Sequence, residues 1–370
     1  MKKAAGIVIF LVIAILATTA IIFYASGYRP NLTDRNIQAT GVVSIRSKPS
    51  EASVFIDGKS KGTTNVDLSS LQPGKYTVEI TKEGFTSWQK EVEVKKEAVN
   101  VIEAVLFPVA PSLRALTFTG VVNPLASPNG SKVAFSVKEP PERAGIWVLN
   151  LSTSPLPSFF TRDLVQIVAD SENFNFSSAT YEFSPNGSQL LVKLAKSNTY
   201  FLLNVGDENP NPKEVTLDID DIKTSWEDEK QAAVEKTLAT FDDEGKMIAD
   251  SLEALEFSPD EEKFVGRRKD GKYLIYDSNP GFAPDKEPKT YLVSSAKKYL
   301  WYPDNEHLVL VNGGSISVMD VDTTNNVTIY TEGFNNEFVV PWPDGSKIVI
   351  TTNLNKSVRE QPDLYAIELR

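Results

Sequence analysis

The sequence contains no cysteine and a single histidine among its 370 residues. The absence of cysteine excludes disulfide bonds, thiolate nucleophiles, iron–sulfur clusters and zinc sites with Cys ligands. One histidine also excludes His-rich metal sites, and any Ser–His–Asp mechanism would depend on His307. His307 stands where a turn enters an apolar strand. We therefore expect a solvated residue at the edge of a hairpin, in preference to a ligand or a base.

Positive charge is also scarce. The chain has 38 Lys and Arg residues against 49 Asp and Glu residues, a net charge of −11, and no stripe of basic residues interleaved with aromatic ones. A protein of this charge repels phosphate backbones, so we expect no nucleic-acid partner. Acidic runs occur at 218–221, 227–229 and 242–244. None has the spacing of a calcium-binding EF-hand loop, and we expect solvated loop charge there.

The sequence lacks the catalytic motifs that would indicate a common hydrolase. There is no Gly-x-Ser-x-Gly elbow and no sialidase-type Ser-x-Asp-x-Gly-x-Thr-Trp box. A pair of carboxylates brought together from distant loops would leave no local signature, so a glycosidase stays open as an alternative. We therefore predict no catalytic residues, no cofactor and no metal site.

The chain begins with Lys2 and Lys3, followed by an uncharged, largely apolar run from Ala4 to Ala25. A helix of this length would span about 33 Å, close to the thickness of the hydrocarbon core of a bilayer. The run is long for a cleaved signal peptide and no clean Ala-x-Ala site follows it. We expect residues 1–26 to be a cytoplasmic tip and an uncleaved transmembrane anchor, and residues 27–40 to be a linker. The rest of the chain would then be extracytoplasmic.

Residues 41–107 alternate between apolar and polar side chains at period two, which is typical of short strands. Asp57-Gly58 is a strong hairpin-turn dipeptide and Pro73-Gly74 is a second turn. About five strands with a turn every ten residues predict a small β-sandwich.

These residues resemble the PEGA domain, a small β-sandwich module of surface proteins. The resemblance is carried by Ser47-Lys48-Pro49, by 52–58, by Gly62-Thr63-Thr64, by 71–78 and by Lys82-Glu83-Gly84-Phe85. The sequence departs from the family at Pro49-Ser50-Glu51-Ala52, which replaces the Pro-Glu-Gly-Ala tetrad, and at Asn65. The family has no known catalytic apparatus, so the resemblance implies a spacer or adhesion module.

Residues 112–370 contain an internal repeat. Each copy has a hydrophobic lead-in, a corner with Pro followed by Asp or Asn, and an apolar strand, and a second apolar strand follows at a similar distance. Pro presets φ for such a corner, and Asp or Asn accepts local backbone N–H bonds. The five clear copies begin at Ser127-Pro128-Asn129, Ser184-Pro185-Asn186, Ser258-Pro259-Asp260, Tyr302-Pro303-Asp304 and Trp342-Pro343-Asp344.

A corner and two strands recurring about every forty residues predict the four-stranded blades of a β-propeller. The gap between Pro185 and Pro259 is too long for one blade, and the segment from Trp226 to Val234 looks like a degenerate copy. This predicts six blades. Because Met247, Ile248, Leu252 and Leu255 recur at roughly helical spacing, five blades with a helical insertion are the alternative. A strand over 113–118 would close the ring by pairing with the last blade.

The repeats resemble the TolB-type, WD-repeat-like propeller family, which carries a similar Ser-Pro-Asp-Gly corner. The resemblance implies the fold and says little about function, because propellers serve as both enzymes and scaffolds. Four tryptophans lie near blade positions, where they would either pack between blades, as we expect, or form a sugar-binding platform. They are Trp147, Trp226, Trp301 and Trp342.

Together these features predict an all-β protein with an N-terminal transmembrane helix, a small PEGA-like sandwich and a C-terminal propeller. The expected function is binding or scaffolding at the bacterial cell envelope, with the lipid bilayer holding the N-terminal helix and the propeller engaging an envelope protein or glycan. The alternative is an extracytoplasmic glycan hydrolase that uses loop carboxylates.

Overall fold

The computed structural model describes residues 2–25, 28–31, 36–151, 163–280, 287–293, 296–331, 334, 338–354 and 360–370. Contacts divide the chain into two compact units. One comprises Met1–Val109 with Asn279–Pro288, and the other comprises Ala110–Ser278 with Lys289–Arg370.

The first unit begins with helix α1 (Lys2–Ala25). No helix in the described part of the chain is both long enough and apolar enough to cross a membrane, so the predicted transmembrane span is not confirmed. Two short strands, β1 (Tyr28–Asn31) and β2 (Asn36–Ala39), pair antiparallel in the segment that we expected to be a linker.

Seven further strands form the predicted small sandwich. They are β3 (Gly41–Lys48), β4 (Ser53–Ile56), β5 (Lys59–Thr63), β6 (Val66–Leu71), β7 (Gly74–Thr81), β8 (Trp88–Val94) and β9 (Val99–Val105). One sheet has the order β6-β3-β9, with β3 and β9 parallel, and the other has the order β5-β4-β7-β8.

The alternating side chains of these strands meet in one core, in which Ile45, Val54, Ile80 and Ile102 are fully buried. The turn between β4 and β5 has positive φ at both Asp57 (49°) and Gly58 (72°). Positive φ at both central residues is the geometry that Asp-Gly favours in a two-residue hairpin, and this part of the sequence prediction is confirmed.

The second unit is built from five four-stranded antiparallel sheets within its described residues. Sheets 1 to 4 are formed by consecutive strands. Sheet 1 contains β11 (Val122–Ala126), β12 (Lys132–Val137), β13 (Gly145–Asn150) and β14 (Leu164–Ala169), and sheet 2 contains β15 (Thr180–Phe183), β16 (Gln189–Lys193), β17 (Tyr200–Asn204) and β18 (Lys213–Glu214). Sheet 3 contains β19 (Glu253–Phe257), β20 (Lys263–Arg267), β21 (Tyr273–Asp277) and β22 (Lys289–Val293), and sheet 4 contains β23 (Lys298–Trp301), β24 (His307–Asn312), β25 (Ser315–Asp320) and β26 (Val327–Tyr330).

Sheet 5 is completed by a strand from the beginning of the unit. It contains β27 (Val339–Pro341), β28 (Lys347–Thr352) and β29 (Asp363–Glu368), and β29 pairs with β10 (Leu113–Ala115). Leu113 lies opposite Ile367 in this pair. Pairing of the first strand with the last sheet closes a propeller and removes two exposed strand edges, as the sequence predicted.

Most neighbouring sheets pack through apolar faces. One core cluster joins sheet 1 to sheet 2 through residues such as Ile146 and Leu203, and another joins sheet 1 to sheet 5 through Phe135 and Val349. A third joins sheets 3 and 4 through Ile275 and Leu308.

Two helices lie in the chain between sheets 2 and 3, where the sequence predicted a sixth blade. They are α2 (Ile219–Leu238) and α3 (Asp243–Asp250). The prediction of six four-stranded blades is therefore not confirmed. From Trp226 to Leu238 the chain is rich in Glu, Lys, Gln and Ala, which favour helix, and it lacks the Pro corner of the true repeats. Asp242 caps α3 by accepting a bond from the Gly245 N–H at 2.7 Å.

The corners between the first two strands of sheets 1, 2 and 3 share one hydrogen-bond pattern. In sheet 1 the Ser127 hydroxyl donates to Asn129 Oδ1 (2.8 Å) and accepts from the Lys132 N–H (3.0 Å). Sheet 2 repeats the arrangement at Ser184, Asn186 and Gln189. One serine hydroxyl thus holds the two sides of the corner together through two hydrogen bonds.

Tyr302 and Trp342 replace this serine in sheets 4 and 5. Tyr302 is fully buried, and its hydroxyl donates a hydrogen bond to the Gly345 carbonyl in the next corner. Tyr302 thus links sheet 4 to sheet 5.

This link makes Gly345 more sensitive to substitution than its equivalent in sheet 1. Gly345 and Gly130 have nearly the same φ, 68° and 64°, but a Cβ at Gly345 would lie 2.8 Å from the Tyr302 hydroxyl oxygen, whereas a Cβ at Gly130 would meet nothing within 4 Å. Gly130→Ala should cost about 1–2 kcal/mol from the left-handed backbone alone. We expect Gly345→Ala to cost measurably more in denaturant unfolding of the full chain. Equal losses for the two variants would contradict the proposed contact.

Candidate functional site

The densest group of charged side chains in the described residues lies where sheets 3 and 4 meet. It is built from one register position of each sheet, at which the first residue of the second strand faces the last residue of the third. In sheet 3 this pair is Lys263 and Asp277, and in sheet 4 it is His307 and Asp320. All four residues are buried. The same position holds Lys132 with Asn150 in sheet 1 and Gln189 with Asn204 in sheet 2.

His307 is held between two carboxylates. Its Nδ1 lies 2.8 Å from Asp304 Oδ2 and its Nε2 lies 3.2 Å from Asp320 Oδ1. Burial acts to lower the pKa of the imidazole, but the hydrogen bonds and charges of the two aspartates prevail and raise it to about 10. The prediction of a solvated residue at a hairpin edge is wrong, because His307 is only 4% exposed. Sequence reasoning missed that Asp304 and Asp320, both near strand ends, converge on this residue.

Lys263 forms the second half of the group. Its side chain is 2% exposed, and its Nζ lies 3.2 Å from Glu306 Oε1 and 3.9 Å from Asp260 Oδ2. Burial acts to lower the pKa of the ammonium group, but the surrounding carboxylates raise it overall. For Glu306, burial raises the pKa of the carboxyl more than Lys263 lowers it. Because Lys263 belongs to sheet 3 and Glu306 to the corner of sheet 4, this ion pair bridges the sheets.

The chemistry open to this group is limited. With a pKa near 10, the imidazole is already protonated at neutral pH and has no lone pair with which to accept a proton. Both of its nitrogens face carboxylates. The group therefore acts as a buried ion network that fixes two sheets in register.

The first strands of the sheets present a different set of charges. The residue two positions before the corner is Glu182 in sheet 2 and Glu256 in sheet 3, and each faces the second strand in the same register. Water reaches Glu256, yet the surrounding protein desolvates its carboxylate and raises its pKa, while Lys298 of sheet 4 acts in the opposite direction.

The four tryptophans are used in packing. Trp301 and Trp342 are 9% and 8% exposed, and Trp226 is buried against sheet 2. Trp301 Nε1 also donates to the Glu256 carbonyl at 3.1 Å, which ties sheet 4 to sheet 3. Trp147, which is partly exposed, donates to the Arg143 carbonyl at 2.8 Å. The burial of Trp226, Trp301 and Trp342 agrees with the expected packing role, because a sugar-binding platform needs an exposed ring face.

The three acidic runs lie on or beside the helices between sheets 2 and 3. Asp218 and Asp242 precede the two helices, and 227–229 lie in the middle of α2. These runs were expected in loops and are instead largely helical, although their side chains are exposed as predicted. Within the described residues, no group of three or more His, Asp or Glu side chains is arranged to hold a metal ion.

Comparison with known families identifies the sandwich. Residues 40–108 match the PEGA domain family. These residues therefore form a PEGA domain, as their resemblance in sequence predicted, and the five-sheet unit that follows has the sheet topology of a β-propeller.

A search of the curated proteins returned no match. Solved structures similar to this chain include a putative TolB from Agrobacterium tumefaciens, with 14% identity, 72% of this chain and 74% of that chain covered, and a TM-score of 0.22. They also include the Swd1 β-propeller domain from Myceliophteria thermophila (11% identity, 68% and 73% covered, TM-score 0.20) and an oligogalacturonate lyase from Vibrio parahaemolyticus (9%, 80% and 86%, 0.27). At these TM-scores the propeller assignment rests on the sheet topology of the chain itself.

The ion network makes a testable prediction about stability. Replacing His307 with alanine leaves the buried carboxylate of Asp320 and the partly exposed carboxylate of Asp304 without their cation, which should lower the free energy of unfolding by about 3 kcal/mol. Gln189→Ala removes a neutral side chain at the equivalent position of sheet 2 and should cost no more than about 1 kcal/mol. Chemical denaturation of the full chain near pH 6 measures both.

The same network determines how the free energy of unfolding changes with pH. Folding raises the pKa of His307 from 6.5 to about 10, so its contribution is fully present below pH 6.5 and is lost as the pH rises toward 10. The difference in stability between the parent and His307→Ala should therefore narrow over this interval. A difference that stays constant from pH 6 to pH 10 would contradict the assignment of a protonated imidazole.

Proposed function

We propose that this protein is a binding or scaffold protein of the bacterial cell envelope, in which the propeller engages a protein or glycan and the PEGA domain acts as a spacer. The proposal rests on the pairing of the buried cations with carboxylates. His307 and Lys263, the two buried cations that an active site would use, are neutralised by ion pairs with neighbouring carboxylates. Cations held in such ion pairs stabilise the fold, and they are poorly suited to exchange protons with a substrate at neutral pH.

We further propose that the N-terminal helix holds the protein at the membrane with the bulk of the chain outside. Lys2 and Lys3 are the first residues of the helix, and the positive-inside tendency favours a cytoplasmic N-terminus. Large apolar side chains of α1 between Ile9 and Ile22 are about half exposed or more, with Phe10 at 70% and Leu16 at 64%. Such a surface needs an apolar environment, and lipid would supply it.

Membrane attachment is tested by fractionation of cells that express the full chain. We expect the protein to remain in the membrane pellet after alkaline carbonate extraction and to be digested by protease added outside the cytoplasmic membrane. Leu11→Lys with Ile15→Lys should release it, because each central charge costs about 2.5–3.5 kcal/mol on insertion scales, whereas Leu11→Ala with Ile15→Ala should not. A full-length parent found in the soluble fraction would rule out the anchor.

A glycan hydrolase is the alternative, and one observation favours it. Glu182 and Glu256 occupy equivalent positions in neighbouring sheets, and the pKa of Glu256 is raised by desolvation. A carboxyl group with a raised pKa is what a glycosidase needs as its general acid, with a second carboxylate as its partner.

Binding and hydrolysis are separated by incubating the full chain, in detergent, with solubilised envelope polysaccharides and a glycan array. Under our proposal the protein retains its ligand uncleaved, and Glu256→Gln leaves the products analysed by mass spectrometry unchanged. Cleavage that falls by about a hundredfold or more in Glu256→Gln, in the range expected for loss of a general acid, would replace our proposal with the hydrolase. Gln189→Ala serves as the matched control.

A further inference from the structure

The helix α2 is anchored by its first half and by its last residue. In the first half, Ile219, Ile222 and Trp226 pack on the face of sheet 2 that is turned away from sheet 1. At its end, Leu238 joins a second cluster on sheet 3 that includes Phe264 and Tyr276. The helix thus connects the faces of sheets 2 and 3 that a sixth blade would have covered.

Between these anchors α2 is uncovered on every side. All ten residues from 227 to 236 are exposed. Positions 226, 230, 233 and 237 lie on one face of a helix because they are three or four residues apart. Trp226 and Thr237 are buried on that face, but Lys230 and Ala233 are exposed. The middle of α2 is therefore an unpartnered stretch of almost three turns.

The helical segment 218–250, which contains this stretch, carries most of the net negative charge of the chain. Residues 218–250 contain eleven Asp and Glu residues and four Lys residues, a net charge of −7 out of −11 for the whole chain. All eleven acidic residues are exposed. Two of the large exposed apolar side chains of the propeller unit lie among them, Val234 at 41% and Met247 at 68%. The two anchors explain why the helix crosses between the sheets, and its middle turns, which are polar on nearly every side, gain little from packing.

We propose that α2 and α3 form a docking surface for a cationic, Lys- and Arg-rich segment of a partner protein. The inference rests on the proposed binding function and names the chemistry of its partner. Complementary charge is the argument for the occupant, since exposed carboxylates on one helix accelerate and orient the approach of a basic segment. The same charge repels anionic lipids, nucleic acids and anionic glycans. Val234 and Met247 provide apolar contact beside the charges.

The test uses the full chain in detergent and a fluorescently labelled decalysine peptide, with binding followed by anisotropy at low salt. The helix variant carries Glu227→Gln, Asp228→Asn and Glu229→Gln. The control variant carries Glu139→Gln, Glu142→Gln and Glu172→Gln, which removes the same number of exposed charges beside sheet 1. We expect the dissociation constant to rise about tenfold for the helix variant and less than about twofold for the control, with binding weakened by salt.

A second variant distinguishes a loss of binding charge from a loss of folding. Lys230→Gln with Lys236→Gln removes two positive charges from the same exposed stretch, and we expect it to tighten decalysine binding, which damage to the fold would not do. Equal weakening in the helix and control variants, no tightening in the lysine variant, or no binding by the parent would overturn the docking surface. Continued retention of an envelope protein or glycan by the helix variant would leave the general binding function standing.

Discussion

The constraint on which the propeller depends is that each four-stranded sheet has two apolar faces and both must be covered. Sheet 1 is covered by sheets 2 and 5, and sheet 4 packs on sheet 3 through Ile275 and Leu308. The remaining faces of sheets 2 and 3 would be exposed without the helices between them. Trp226, in the first half of α2, and Leu238, at its end, cover these two faces with a helical segment in place of a sixth sheet. The cost is a helix whose middle lies in solvent.

Buried charge in this protein stabilises the contact between two sheets. Lys263 and His307 occupy the same register position in adjacent sheets, and each faces an aspartate on the next strand. Such ions are expensive to desolvate, and the fold tolerates them because several carboxylates surround each cation. A buried histidine between two aspartates is often a sign of catalysis. Here the two aspartates raise the pKa of the imidazole to about 10, so it is protonated at neutral pH.

The sequence was informative where local chemistry determines structure. Asp57-Gly58, the Ser-Pro-Asn corners and the alternating strands all formed as predicted, because turn geometry and side-chain periodicity act over a few residues. The burial of His307 was missed because its partners Asp304 and Asp320 meet only when a corner and two strands are assembled. The segment around Trp226 was mistaken for a blade because a single aromatic residue at the repeat spacing outweighed the helix-forming residues that follow it. No local signal placed Glu182 and Glu256 at equivalent positions, since that relation belongs to the sheets.

A helix with unpartnered middle turns joins sheets 2 and 3. Hydrogen exchange of the full chain, read out by mass spectrometry, tests whether these turns lack tertiary packing. Amides of 227–236 should exchange much faster than those of Leu190–Val192 or Phe264–Val265, because no tertiary packing protects the middle of the helix from local opening. Protection of 227–236 equal to that of the core strands would contradict the account, since it would mean that this segment is packed into the propeller as a sixth blade would be.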